Sequence, residues 1–299
     1  MEPAALHFQE TFGQNLVRLT GYYNRLALKQ LADPERDYRS VHQSRLSFKR
    51  LRCLLRFGRF GLNDSEYRRL NRFYRDQART LSFHRDYTVI NEVLKSMIKT
   101  RKSATERAFL IQFRARLMQK RKRDQAVTTF DEACREVIHR LSKMQAEISS
   151  WEPKETDTEL FLLGIKNTFA AAKKQHGNLK VPVTDHQLHE WRKQVKYLWY
   201  QAELLIGLWP SMLKPLIREL KSVAQSLGRH HDLVLLESAL KEYIEPELED
   251  LAATTLEQIS EEKTCIEEKA LLLGKKIFAV RPSCLFQQLK ACMQDESAN

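Results

Sequence analysis

Two stretches of this chain, about half its length apart, repeat one another. Setting His42 on His189 also sets Arg45 on Arg192, Lys49 on Lys196 and Leu51 on Leu198, all at an offset of 147 residues. Further on, Leu81, His84 and Asp86 fall on Leu227, His230 and Asp232 at an offset of 146, so one deleted residue reconciles both matches. Chance explains that poorly. Two related units should fold into two similar sets of elements, and the 299 residues divide near Glu155 into units 1–155 and 156–299, each long enough to bury a core.

The kind of element follows from periodicity. Only 9 Gly and 8 Pro punctuate the chain, and apolar residues recur at helical spacing nearly everywhere, so the expected class is all-α. The first helix is expected over Ala4 to Leu31, closed by Asp33-Pro34, and the helix carrying His42 should end near Gly58 or Gly61. Asn63-Asp64-Ser65 is expected to cap the next helix, and Thr184-Asp185 the one carrying His189. Breaks are expected around Ser82-Phe83 and at Gly228. They would place Asp86 and Asp232 near helix N-termini, where a carboxylate satisfies free backbone N–H groups. That structural role is preferred to catalysis. After Pro246, a helix with Glu257, Glu261, Glu262, Glu267 and Glu268 should face solvent.

The repeated helices are basic along one side. At about 100° per residue, His42, Arg45, Lys49, Arg52 and Arg56 fall within an arc of roughly 80°. A ladder from Arg45 to Arg56 covers roughly 16 Å at the helical rise, too long for one phosphate group and suited to an extended polyanion. Arg68, Arg72, Arg75 and Arg79 share an arc of about 60°, and Lys214, Arg218 and Lys221 occupy the matching places, with Gln225 instead of a fourth cation. Arg18 and Arg25 are matched more weakly by Lys166 and Lys173. The second ladder is shorter. Trp199 and Glu203 stand where Arg52 and Arg56 do, so it ends at Lys196 with Lys193 beside it. A single basic stripe is commonly a solvated helix face; one repeated in register with histidines points to a site.

Charge narrows the partner class. The net charge is +12, and residues 1–150 hold 31 Lys and Arg against 16 Asp and Glu, leaving 19 against 22 for the rest. Such a balance favours acidic partners and suggests that the first unit carries more of the binding. Lys120 to Arg123 form a further basic run, expected to be solvated. The five cysteines form no CxxC pair, MEPAALHFQE shows no secretory signal, and no apolar run approaches a membrane span, so a soluble cytoplasmic protein is expected. Glu136 and His139 make the ExxH spacing of di-iron bundles, yet no second ExxH occurs, and neither metal nor cofactor is expected.

HQSRLSFKRLRCLLRF and HEWRKQVKYLWYQAEL, at residues 42–57 and 189–204, resemble the two signature helices of the CHAD domain, the conserved histidine α-helical domain. LSFHRDYTVI and LGRHHDLVLL, at 81–90 and 227–236, resemble that family's second signature. The resemblance covers essentially the whole chain, with four segments in the right order. It implies two helical bundles related by a pseudo-twofold axis around a basic groove or pore that binds inorganic polyphosphate, with association to polyphosphate granules. The family is often fused to a CYTH triphosphate-hydrolysing domain, but the ExExK mark is missing here, and EPELE at 245–249 ends in the wrong residue.

A standalone binding module without catalysis is therefore the expectation, with other polyanions as possible ligands. Arg18, Arg25, His42, Arg45, Lys49, Arg52, Arg56, Arg72, Arg75, Arg79, Lys166, Lys173, His189, Arg192, Lys193, Lys196, Lys214, Arg218 and Lys221 are the candidate binding residues. Two rivals stand beside this reading. A nucleic-acid binder would use the same positive surface, with Tyr22 and Trp199 as the nearest aromatics for base stacking; a polyphosphate-processing enzyme would have to use Asp86 and Asp232.

Overall fold

A computed structural model of the chain describes residues 4–82, 85–124, 130–152, 157–244 and 248–298, with the side chains of 85–86, 121–124 and 295–298 excepted. Every regular element among the described residues is a helix, as the periodicity predicts. The order is α1 (Phe12–Ala32), α2 (Tyr38–Phe57), a 3₁₀ turn (Arg59–Gly61), α3 (Asp64–Thr80), α4 (Arg85–Thr100), α5 (Ala104–Asp124) and α6 (Phe130–Ser149). There follow α7 (Glu159–Gly177), α8 (Asp185–Leu204), α9 (Pro210–Tyr243), α10 (Glu249–Ile277) and α11 (Pro282–Ala298).

Local chemistry sets the helix starts. Asn63 accepts a hydrogen bond from the Glu66 N–H at 2.8 Å, and Thr184 forms a reciprocal capping box with Gln187, so both expected caps are present. Asp37 caps α2 in the same way with Ser40. The first helix starts later than the periodicity suggests. Thr11 and Gln14 close a capping box that begins α1 at Phe12, and the preceding segment runs as an arm whose Leu6 N–H bonds the Leu204 carbonyl at 2.8 Å. Apolar spacing extends into that arm because Leu6 is buried, but burial there comes from contact with the end of α8.

Three apolar clusters hold the helices. Phe12, Leu16, Phe57, Phe161, Trp191, Leu198 and Leu220 belong to the largest, which joins α1 and α2 to α7, α8, α9, α10 and α11. A second packs α1, α2, α3 and α6 around Phe48, Tyr74 and Leu141. The third packs α4 and α5, through Leu94 and Phe113, against Leu233 and Leu236 of α9 and Ile259 of α10.

Helix α9 also departs from the sequence reading. It runs unbroken for 34 residues, through Gly228, and Asp232 stands in its interior. An interior residue has no free N–H groups to satisfy, so Asp232 is not an N-terminal cap. Gly228 serves packing instead: a Cβ there would lie 3.3 Å from the Arg192 guanidinium. Asp86 falls in the first turn of α4, but its side chain lies outside the described residues. The acidic helix α10 is also only partly solvent-facing. Glu257, Glu261 and Glu268 are exposed, whereas Glu262 turns in to meet Arg229 at 2.8 and 3.1 Å, and Glu267 meets the buried His230 at 2.8 Å.

Candidate functional site

Helices α2 and α8, the two that carry the repeated histidine motif, pack against each other. Their contact is close: the thiol of Cys53, fully buried in α2, lies 3.3 Å from the Tyr197 carbonyl of α8. Arg50 locks the crossing. Its guanidinium sits 4.7 Å from the centre of the Tyr200 ring and 2.9 Å from Glu203, and Glu203 also accepts a 2.7 Å hydrogen bond from the Trp199 indole. Burial alone would lower the Arg50 pKa, but Tyr23 and Glu203 outweigh it and the group is held more firmly charged. Burial pushes the Tyr200 phenol up to about 12, which keeps it protonated. Glu203 thus stands in the place of a cation in order to pair with one across the helix crossing.

Beside this locked crossing lies a cavity of about 190 Å³, lined by Lys49 and Arg52 from α2 and by His189, Arg192, Lys193, Lys196, Tyr197 and Tyr200 from α8. Among the described residues, no carboxylate lines it. Lys193 is drawn partly aside by Glu190 at 2.6 Å, and Arg52 is steadied by a 3.0 Å hydrogen bond to Asn71 of α3. Arg192 leans across Gly228 of α9, where a larger residue would crowd its guanidinium. His189 lies tilted against His231 of α9, ring centres 5.0 Å apart. Burial holds its pKa below the ordinary histidine range, and Lys193 and Arg192 push the same way.

The CHAD domain family model matches residues 23–241, most of the chain and all of this site. The chain belongs to the CHAD domain family. Among solved structures, it is similar to PptA from Streptomyces chartreusis, with a TM-score of 0.62 and 16% identity over 89% of this chain and 100% of that one. It is also similar to the CHAD domain from the plant Ricinus communis, with a TM-score of 0.61 and 15% identity over 98% of this chain and 94% of that one. At such identities the likeness speaks for the CHAD fold alone. No curated protein sequence matches the chain. No CYTH domain is evident among the described residues, and none of their helices is long and apolar enough to cross a membrane.

Around the CHAD cavity the other predicted residues separate into groups. His42 is exposed in the first turns of α2, roughly 10 Å along the helix from Lys49 at the usual rise, and does not line the cavity. Arg45 hydrogen-bonds the Ala78 carbonyl of α3, and Arg56 covers the Tyr197 ring at 4.6 Å. On α3, Arg72 and Arg79 are exposed and Arg75 is half-buried, paired with Asp76 at 2.9 Å. On α9, Lys214, Arg218 and Lys221 are exposed. At 100° per residue Lys221 and Lys214 lie about 20° and 40° from Gly228, on the flank that Arg192 leans across.

Four further predicted residues, on α1 and α7, also lie outside the cavity lining. Arg18 pairs with Glu10 at 2.7 Å and also bonds Ala5 and Asn15, fixing the N-terminal arm. Lys166 rests over the Phe286 ring of α11 at 4.7 Å, and Lys173 donates to the Val280 carbonyl at 2.9 Å. Arg25 is exposed on α1 beside Gly21. These four do not line the cavity because their faces of α1 and α7 are turned to the arm, to α11 or to water. Cations from α8 outnumber those from α2 in the lining, the reverse of what the charge division between the units suggests. Sequence reasoning missed Arg50, which lies off the basic ladder on the face that meets α8.

Proposed function

We propose that the protein binds inorganic polyphosphate in the cavity between α2 and α8, without chemistry on the ligand, and that this binding directs it to polyphosphate granules. The observation that carries the reading is the lining itself: Lys49, Arg52, Arg192, Lys193 and Lys196 converge with His189, and no carboxylate is among them. Cations from two helices can contact successive phosphates of one narrow chain by charge-assisted hydrogen bonds, bidentate from arginine. Each contact releases counterions, so several in parallel give tight, salt-sensitive binding. The exposed rows on α3 and α9 extend the positive field beyond the cavity.

A nucleic-acid ligand fits this cavity less well. Base recognition on single strands relies on aromatic faces. Here the Tyr197 ring is covered by Arg56, and the Tyr200 ring by Arg50 at 4.7 Å and Lys196 at 5.7 Å. The discriminating experiment is a calorimetric titration with long-chain polyphosphate, repeated against single-stranded RNA and DNA at equal phosphate concentration. Polyphosphate should win by at least about tenfold. Equal displacement by nucleic acid overturns the assignment, and release of phosphate on incubation with Mg²⁺ or Mn²⁺ overturns binding without chemistry.

His189 gives the binding a pH dependence. In the unfolded chain its imidazole takes a proton at about pH 6.5, before the folded one does. Without ligand its contribution to stability is therefore complete above that pH and is lost as pH falls toward the depressed folded value. A polyanion in the cavity favours the imidazolium and reverses the penalty, so affinity should rise as pH falls toward the depressed value of the free protein. NMR titration of the His189 ring should show its pKa moving upward on addition of polyphosphate. His189→Gln should flatten the pH dependence of binding.

A further inference from the structure

Helix α3 stands between two cationic hollows. On one flank, Asn71 and Ala78 receive Arg52 and Arg45 from α2, next to the cavity described above. On the other flank, α3 and α6 enclose a larger hollow of about 540 Å³ whose lining includes Arg68, Arg69, Arg72, Arg140, Asp76 and Gln77. On a helix at about 100° per residue, the row Arg68, Arg72, Arg75 and Arg79 occupies the ridge between these flanks. The row is continuous with both.

We propose that this α3–α6 hollow is a second polyphosphate-binding site, reached over the arginine ridge from the α2–α8 cavity, so that chains long enough to occupy both bind in preference to short ones. The inference rests on the reading of the first cavity as a polyphosphate site. Several observations support the second. Four arginines from two helices face one space, and Asp76, the carboxylate among the lining residues, is already engaged by Arg75 at 2.9 Å and Arg79 at 3.9 Å. Arg72 is exposed and acts on Asp76 only through space.

The remaining arginines are lightly held. Arg69 pairs with Glu147 and Arg140 with Glu136, and all four side chains are about half exposed, so these pairs contribute little stability and can yield to a phosphate. The wall also carries an unfinished polar group. Gln77 is 1% exposed, and its carboxamide oxygen has no hydrogen-bond partner, although its amide donates to the Phe73 carbonyl at 3.2 Å. A buried acceptor of this kind is normally completed by water or by a donor on a ligand. Internal phosphates carry no proton at neutral pH, so water in the hollow, not the chain itself, supplies that donor, and the anion is recognised by the arginines.

The test compares triphosphate with long-chain polyphosphate on the full chain and on two double variants. Arg68→Gln with Arg72→Gln, both exposed, should weaken long-chain binding by about tenfold and reduce its salt slope by about 1.5, for two lost phosphate contacts. Triphosphate binding, confined to the first cavity, should change less than about twofold. Lys49→Glu with Lys196→Glu should weaken both ligands. Equal losses for both ligands in the arginine variant would overturn the second site in favour of a diffuse field, as would no loss for either. Failure of the lysine variant to weaken either ligand would instead overturn the first cavity.

Discussion

Reversing Lys49 and Lys196 together to glutamate should weaken polyphosphate binding by about a hundredfold or more while leaving helical content unchanged. The two lysines reach the same cavity from facing helices. Each is expected to contribute a charge-assisted contact of about 1.5 kcal/mol, and two such losses already correspond to more than a hundredfold in affinity. Repulsion from the new carboxylates adds to that. The matched control is Lys102→Glu with Arg107→Glu, exposed residues just before α5 and in its first turns, which changes net charge by the same amount. It should cost a few-fold at most, through the long-range field alone. Fluorescence or calorimetric titration at fixed salt reads both. Equal losses from the two pairs would mean that overall charge, not the cavity, governs binding.

The second large effect is on stability. Gly164 of α7 lies so close to the end of α2 that a Cβ would stand 2.0 Å from the Phe57 carbonyl oxygen. That neighbour is backbone and cannot rotate aside, so Gly164→Ala must push the two helices apart within the largest cluster. The expected cost is about 3 kcal/mol, a fall in melting temperature of roughly 6–10 °C. Gly177, at the end of the same helix, has nothing within 4 Å of the place a Cβ would take. Gly177→Ala should therefore be neutral or slightly stabilising, since alanine is the better helix former. Thermal unfolding followed by circular dichroism separates the two. A mild effect at Gly164 would show that α2 and α7 are not held at this spacing.

Much of this architecture is visible in the sequence, for identifiable reasons. Helical periodicity is a local property, and caps such as Asn63 and Thr184 act within one turn, so both can be read without tertiary information. The histidine motif likewise located α2 and α8, the helices that form the cavity. What sequence could not supply is the register between those helices. Arg50 lies off the basic ladder and Glu203 reads as a missing cation, because their 2.9 Å pairing exists only across the crossing. Gly228 misled for a related reason. A glycine inside a helical pattern can mark a turn or a close approach, and only the position of Arg192 against α9 decides for the second. Lys166 and Lys173 carry the right spacing but face α11 and the connection before it, and nothing in their own helix announces those neighbours.

The unbroken length of α9 has a consequence for how the protein is made. Its later turns, with α10, cover the apolar faces of α4 and α5, including Leu94, Phe109 and Phe113. Those faces emerge from the ribosome about a hundred residues or more before Leu233 and Leu236 do. During synthesis they remain uncovered for the time it takes to translate that stretch, when sticky surface invites aggregation. Slowing elongation across the second half should therefore raise the aggregated fraction of newly made chain, read by sedimentation of translation products.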